Sequence, residues 1–452
     1  MHAPIARIRR VNSRFKTNTI ISSLITLLSI SSTTQIVVLQ NFSQKCLIGL
    51  ARHKKNDNLT FFVGLRLFVN SNGNIANELF KEVTELDKLT PRALHFIARC
   101  ASWVSDVYNL ERIRKQLGPT SSIGLFAGAL INHTLNPELS IVNFNLVEQA
   151  FLGEQKIHTS ILSYPEYVKT SMNVMKVRNA NEADSGDNQV TTLMNEQKQF
   201  SNTPIHDIPK LIIISVTLPY LLELAGIVVK RIRRRHEHPI MFIVVATNDL
   251  EAQVALDFLR SLSEDFLNIY WQAHITPFDT PNISSVARFL VSQYFFDNNN
   301  CQSILILDVD TSFVKSDPIQ IWDQIGDDFA IGVITHKSFS PWERLSLGLT
   351  ILNRNEFTGN FLYDLKIHVT DHFVRGRAFW TLDQTAAYFV ISELLVTSGD
   401  TLHDCREVLD LSKYITIGDL TFLDPAMRRG KMRAKMKNES FVQELREKLF
   451  FD

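Results

Sequence analysis

The spacing of apolar positions changes character along this chain and divides it into three stretches. Over residues 1–178 it is mainly helical. From Asn74 to Leu86 the apolar residues fall on one helical face, and Thr90-Pro91-Arg92 supplies a cap followed by proline at a first helical position. Leu94, Phe96, Ile97, Trp103 and Val104 continue that helix, and a shorter one is predicted over Tyr108–Leu117, stopped by Gly118. No fixed period marks an array of repeats. Residues 179–208 are polar and poor in apolar side chains, as in Asn181-Glu182-Ala183-Asp184-Ser185-Gly186-Asp187-Asn188, and read as a linker or surface insertion. Beyond them the rhythm becomes strand-helix-strand. Strands are predicted at Leu211–Val216, Met241–Ala246, Asn268–His274 and Ile304–Leu307. The helices between them are Leu218–Arg235, Asp249–Leu262 and Ser284–Phe296, the last capped by Ser284 or Ser285. Phe329–Ile334 and Gly348–Leu352 are further strands among irregular loops. The fold class expected for 209–452 is α/β, a mixed but mainly parallel sheet flanked by helices and preceded by an all-helical N-terminal region.

Charge and cysteine content narrow the field. Lys+Arg and Asp+Glu balance at 47 each, so no nucleic-acid partner is expected. The run Lys230, Arg231, Arg233, Arg234, Arg235 closes a predicted helix, where cations complement the dipole. Cys46, Cys100, Cys301 and Cys405 lie far apart without zinc or disulfide spacing, which fits a reducing, cytoplasmic setting. Residues 1–56 hold nine Lys/Arg and no acid, and Lys16 to Lys45 encloses an uncharged stretch. That is the outline of a signal anchor, but Thr19–Leu39 is diluted by Ser, Thr and Gln. A buried or surface-docked helical segment is expected instead, with peripheral membrane contact through the basic end as a further reading.

The candidate chemistry sits at two places. Ile304-Leu305-Ile306-Leu307 is a run without alternation, as in a strand buried on both faces, and it ends in Asp308-Val309-Asp310. Two carboxylates there are costly unless they meet a cation. Their spacing points both to one side of an extended chain, where Mn2+ or Mg2+ could bridge them to a diphosphate. The second place is Trp380-Thr381-Leu382-Asp383-Gln384, which opens an apolar helical pattern. Asp383 there is either a simple helix-end acid or part of a polar pair facing a substrate.

The order of helix 285–289, the strand into Asp308-Val309-Asp310, Gly348-Leu349-Thr350-Ile351-Leu352-Asn353 and Leu382-Asp383-Gln384 resembles nucleotide-sugar-dependent glycosyltransferases of the A-type fold. It is most similar to the glycogenin and bacterial galactosyltransferase-like branch. The resemblance spans about 209–435 and implies hexosyl transfer with retention, from a nucleoside-diphosphate sugar, UDP-sugar favoured, to a saccharide, lipid-linked or protein acceptor. By the same resemblance Asp308 and Asp310 would hold the metal, Thr217 would border the nucleotide and Arg288 would contact the donor. Asn353 would flank the acceptor side, and Asp383 and Gln384 would line the reacting centre. Lys431 and Lys435, with Arg428, Arg429 and Arg433, would close on the diphosphate. The chain departs from the branch in two respects. No His-x-x-Gly-x-x-Lys pattern follows His403, the last histidine, and Ser346-Leu347 stands where Asn-Ala is usual.

Two other readings compete. The apolar strand into Asp308-Val309-Asp310-Thr311 also resembles the first motif of haloacid-dehalogenase-type phosphatases, with Asp308 as nucleophile, Asp310 as acid/base and Thr335 in a second motif. Three strand-helix units precede it, whereas that motif normally opens its domain. The other reading is a helical interaction protein carrying a degenerate α/β domain.

Overall fold

The structure is a computed structural model. It describes residues 57–69, 73–89, 91–118, 120–135, 208–278, 280–313, 316–340, 343–374, 382–398, 405–415 and 420–422, with short pieces at 48–49, 52, 146–147, 200–201 and 402. The candidate anchor at 19–39 and most of the polar segment 179–208 lie outside the described residues. No helix among the described residues is long and apolar enough to cross a membrane. The chain forms two compact units, Met1–Ala127 and Gly128–Asp452.

The first unit contains α1 (Asp57–Val69), α2 (Gly73–Lys81), α3 (Pro91–Trp103), α4 (Val107–Leu117) and the first turns of α5 (Ser122–Leu135). Proline 91 opens α3 as expected, while the predicted helix from Asn74 stops at Lys81 and leaves Leu86 in a separate 3-10 turn. At Gly64 an added Cβ would collide with the Phe80 ring, so α1 and α2 touch through glycine. Gly118 ends α4 at φ 81° and ψ 169°, a backbone region essentially reserved for glycine.

The second unit is built on an eight-stranded sheet in the order β1-β4-β3-β2-β5-β8-β7-β9. Its strands are β1 (Phe200–Ser201), β2 (Lys210–Thr217), β3 (Ile240–Ala246), β4 (Ile269–Ile275), β5 (Ser303–Leu307), β7 (Ile331–Thr335), β8 (Leu345–Asn353) and β9 (Val408–Asp410); β6 (Thr311–Phe313) pairs separately with β10 (Leu420–Phe422). β4, β3, β2 and β5 run parallel, and β8 enters antiparallel between β5 and β7.

The strands are apolar on both sides because helices cover both faces. Leu211 and Ile213 of β2 join one core with Met241, Ile304 and Val286, while Ile212, Ile214 and Val216 join the other with Phe242, Leu305 and Leu256. Every residue of β3 is buried, and each large aliphatic side chain so placed contributes about 1.5–3 kcal/mol relative to exposure. The covering helices are α6 to α12. α6 runs Leu218–Tyr220, a π-helical turn Leu221–Ala225, then Gly226–Arg233; α7 is Asp249–Asp265 and α8 Thr280–Leu290. They are followed by α9 (Ser292–Asn298), α10 (Pro318–Gln324), α11 (Glu356–Val374) and α12 (Leu382–Ser398).

A second predicted helix is also corrected. The helix expected at Ser284–Phe296 starts at Thr280 and breaks at Val291 into α8 and α9, so neither Ser284 nor Ser285 is a cap. Ser285 Oγ instead donates back to the Asn282 carbonyl at 2.8 Å, and Ser284 Oγ lies 3.3 Å from Ser215 Oγ.

Candidate functional site

From β2 the chain steps to β3 and β4 on one side, then returns to place β5 on the other side of β2. Strand order therefore reverses between β2 and β5. In open α/β sheets such a reversal leaves a crevice at the carboxyl ends of the two strands, and ligands bind there. A cleft occupies this position. The end of β2 (Ser215, Val216, Thr217), Tyr220, the first turns of α8 (Pro281, Ser284, Ser285), Arg288 and Asp308–Asp310 line it.

The acidic pair is held by a tight turn. The Asp308 N–H donates to the Gly348 carbonyl at 2.8 Å and the Thr311 N–H to the Asp308 carbonyl at 3.0 Å. Val309 points into the core, while Asp308 and Asp310 are half-buried at the cleft. Gly348 makes room for this arrangement, because a Cβ there would collide with the Asp308 carboxylate.

The cation that Asp308 meets belongs to the chain. Arg288, 4% exposed, donates through one terminal nitrogen to Asp308 Oδ1 and through the other to Asp383 Oδ2 at 3.0 Å. Burial disfavours the guanidinium charge, but Asp308 and Asp383 outweigh it and leave the Arg288 pKa raised. Asp383, at the start of α12, is 5% exposed. Burial pushes its carboxyl above the ordinary value, against the opposing pull of Arg288 and of the Gln384 N–H.

Three solved structures to which the chain is partially similar are glycosyltransferases. The bifunctional glycosyltransferase WbbM is 16% identical with a TM-score of 0.32, over 52% of this chain and 45% of that one, so this chain spans less than half of WbbM's length. The galactosyltransferase LgtC in complex with donor and acceptor sugar analogs is 14% identical with a TM-score of 0.28, over 40% of this chain and 70% of LgtC. An active-site mutant of LgtC is 13% identical with a TM-score of 0.29 over the same shares. No family model matches the sequence, and no curated protein matches it.

The structure brings four sequence-selected residues, Thr217, Arg288, Asp308 and Asp310, to one cleft, and Arg288 links Asp383 to them. Gln384 is half-buried beside Asp383. Asn353 lies apart from the cleft: it pairs with Ser303 at the amino end of β5, far along the strand from Asp308. Its Oδ1 accepts from Ser303 Oγ at 2.6 Å and its Nδ2 donates to the Phe329 carbonyl at 3.0 Å, so both ends of the amide hold strands together. Lys431, Lys435, Arg428, Arg429, Arg433, Trp380 and Thr381 lie outside the described residues. Tyr220, Ser284 and Ser285 were missed as cleft residues. The two serines were visible in sequence, but their resemblance to a helix cap concealed that they face the cleft.

The donor set suits a hard divalent ion of the Mg2+ or Mn2+ kind. Two half-buried carboxylates one residue apart are enough where substrate phosphates and water complete the shell.

Proposed function

We propose that the second unit transfers a sugar from a nucleoside-diphosphate sugar to an acceptor hydroxyl. The observation that carries this reading is the convergence of Thr217, Arg288, Asp308 and Asp310 at the strand-order reversal, with Asp383 locked to the same guanidinium. Breaking the bond between the anomeric carbon and the diphosphate leaves the electron pair on a diphosphate oxygen and positive character on the sugar. Asp308 and Asp310 would hold a divalent cation, which neutralises the departing diphosphate when bound. The amino-terminal turns of α8 line the same cleft, and the positive end of that helix favours phosphate oxygens.

In this reading Arg288 is the positioning residue. It fixes the Asp308 carboxylate on the donor side and the Asp383 carboxylate on the sugar side, so that metal-facing and sugar-facing groups keep one spacing. Asp383 and Gln384 face the reacting sugar, and retention of configuration, a UDP donor and a saccharide, lipid-linked or protein acceptor belong to the same proposal. The phosphatase reading gains less from this geometry, because it gives no role to Asp383, which is bound to the same guanidinium as Asp308.

Titration calorimetry of the full chain with UDP and with GDP, each with and without Mn2+, tests the proposal. Metal-dependent binding of one nucleotide, lost in Asp310→Ala, is expected. Nucleotide binding that ignores both the metal and that substitution would refute it.

A further inference from the structure

At the opposite edge of the sheet, where the parallel strands begin, a second group of polar side chains converges. His236-Glu237-His238 forms the link from α6 into β3. The two imidazoles lie nearly parallel, 16° apart with ring centroids at 6.3 Å, so the His-x-His spacing delivers both rings to one side. Across from them stands α10. Its cap Asp317 places Oδ2 at 2.9 Å from His236 Nε2, and Asp323, late in the helix, places Oδ2 at 3.0 Å from His238 Nε2. One ring nitrogen of each histidine and one Asp323 oxygen all lie within 4.8 Å of one another.

We propose that His236, His238 and Asp323 form a binding site for a zinc-type divalent cation, separate from the carboxylate cleft. Three features support it. Two imidazoles and a carboxylate make a donor set suited to zinc, which takes N and O ligands at about 2.0–2.2 Å. Ligands at that distance on a tetrahedral ion are about 3.3–3.6 Å apart. The 3.0 Å separation of His238 and Asp323 is already close to such an edge, and the 4.8 Å limit leaves only a small inward shift.

Asp317 supplies the third feature, because metal-bound imidazoles are commonly oriented by a neighbouring carboxylate. Its other oxygen is fixed as the cap of α10, accepting from the Ile319 and Gln320 N–H groups at 3.1 and 3.3 Å. The remaining position on the ion would be left to water, an open rather than a closed site.

Two cations oppose the ion, Arg235 at 3.5 Å from Asp317 Oδ2 and Lys210. Lys210 Nζ sits 2.6 Å from Asp323 Oδ1 and over the Trp322 ring at 4.8 Å. It supplies the charge that Asp323 meets when no metal is bound, and it competes with a cation. The residues come from the start of β2, the entry to β3 and α10, so an ion here would staple α10 to the amino edge of the sheet.

The test is calorimetric titration of the full chain with Zn2+ alone, with Co2+ absorption as a second readout. One site per chain is expected, with the visible bands of low-coordinate Co2+ and a Tm that rises on metal addition. Asp323→Asn, at a surface position, should weaken Zn2+ at least about tenfold, and Asp317→Asn by about 10–100-fold. Lys210→Met should tighten it, while Asp310→Ala should leave it unchanged. Absence of stoichiometric uptake would overturn the proposal. So would uptake that survives the joint His238→Ala, Asp323→Asn change, or uptake that disappears with Asp310→Ala.

Discussion

Arg288 is the residue on which the candidate site depends most. A buried charge that loses its partner typically costs 3–5 kcal/mol, whereas replacing a whole buried ion pair by apolar groups of similar size is often close to neutral. Arg288→Met should therefore destabilise the second unit by about 3–5 kcal/mol, and adding Asp383→Leu should recover most of that. Denaturant midpoints of the single and double variants test it. Equal and additive losses would mean that the two side chains do not act as a pair. Gly348 gives a separate handle on the same carboxylate. The atom that a Cβ would meet is the movable Asp308 side chain rather than backbone. Gly348→Ala should then abolish metal-dependent nucleotide binding while changing Tm by only a few degrees. Unchanged binding would remove Asp308 from the metal. In sequence the acidic pair was legible, since carboxylates ending an apolar strand require a counter-charge. That the first counter-charge is Arg288 was not, because it comes from a helix 20 residues earlier whose register was read from the wrong serine.

Element by element, legibility followed burial. β2 to β5 were read to within a residue or two because both their faces are covered and the apolar run leaves no alternative. α11 was not read at all. It buries Thr358, Asp364, His368, Thr370 and His372 among its apolar residues, so polar and apolar positions do not separate into faces. Helix ends fixed by a side chain were easier, and the start of α4 is one of them. Asp106 caps it by accepting from the Asn109 N–H at 2.9 Å, and its second oxygen takes Asn77 Nδ2 and Lys81 Nζ, each at 2.6 Å. Asn109 Nδ2 completes the set by donating to Asn77 Oδ1 at 2.8 Å, tying α2 to α4. Asp106→Ala removes a cap, worth about 0.5–2 kcal/mol, and leaves a buried Asn77 N–H without its acceptor, worth about 1–3 kcal/mol. A loss of about 2–4 kcal/mol is expected, read as faster amide exchange in both helices. Asp106→Asn keeps the cap and should cost less. Exchange that quickens in α4 alone would show that the network does not couple the helices.

For the whole molecule, strand order decides where chemistry can sit, and strand order was not written in local pattern. Alternating strands and helices imply a parallel sheet. They do not reveal that β5 pairs beside β2, nor that β8 runs antiparallel between β5 and β7. Those pairings create the cleft and are fixed by long-range packing.

The same packing sets the response of the second unit to acid. His274 is buried, with neither ring nitrogen bonded among the described residues, and burial lowers its pKa to about 4. Burial, with Arg344 adding to it, lowers that of His133 to about 3. A histidine kept neutral in the folded state takes up a proton first in the unfolded chain as pH falls through its ordinary 6.5. Its contribution to stability is therefore intact above 6.5 and is lost between there and the folded value. Asp317, Asp323 and Asp410 act in the same direction lower down. Burial opposes their charge, but hydrogen bonds to His236, Lys210 and Ser412 respectively win and hold them below 3.8. Asp383 acts the other way, since its raised pKa favours the folded state on protonation, in a window above 3.8. Burial lowers the pKa of His336 and His368 as well, so four histidines against one carboxyl leave a net loss. His274 alone should account for about 2 kcal/mol of destabilisation between about pH 7 and about pH 5. Urea midpoints measured across that range should fall for the wild type and flatten by that amount in His274→Gln, whatever the variant's stability at neutral pH. Parallel slopes for the two proteins would mean that His274 is protonated in the folded state and that water reaches this part of the core.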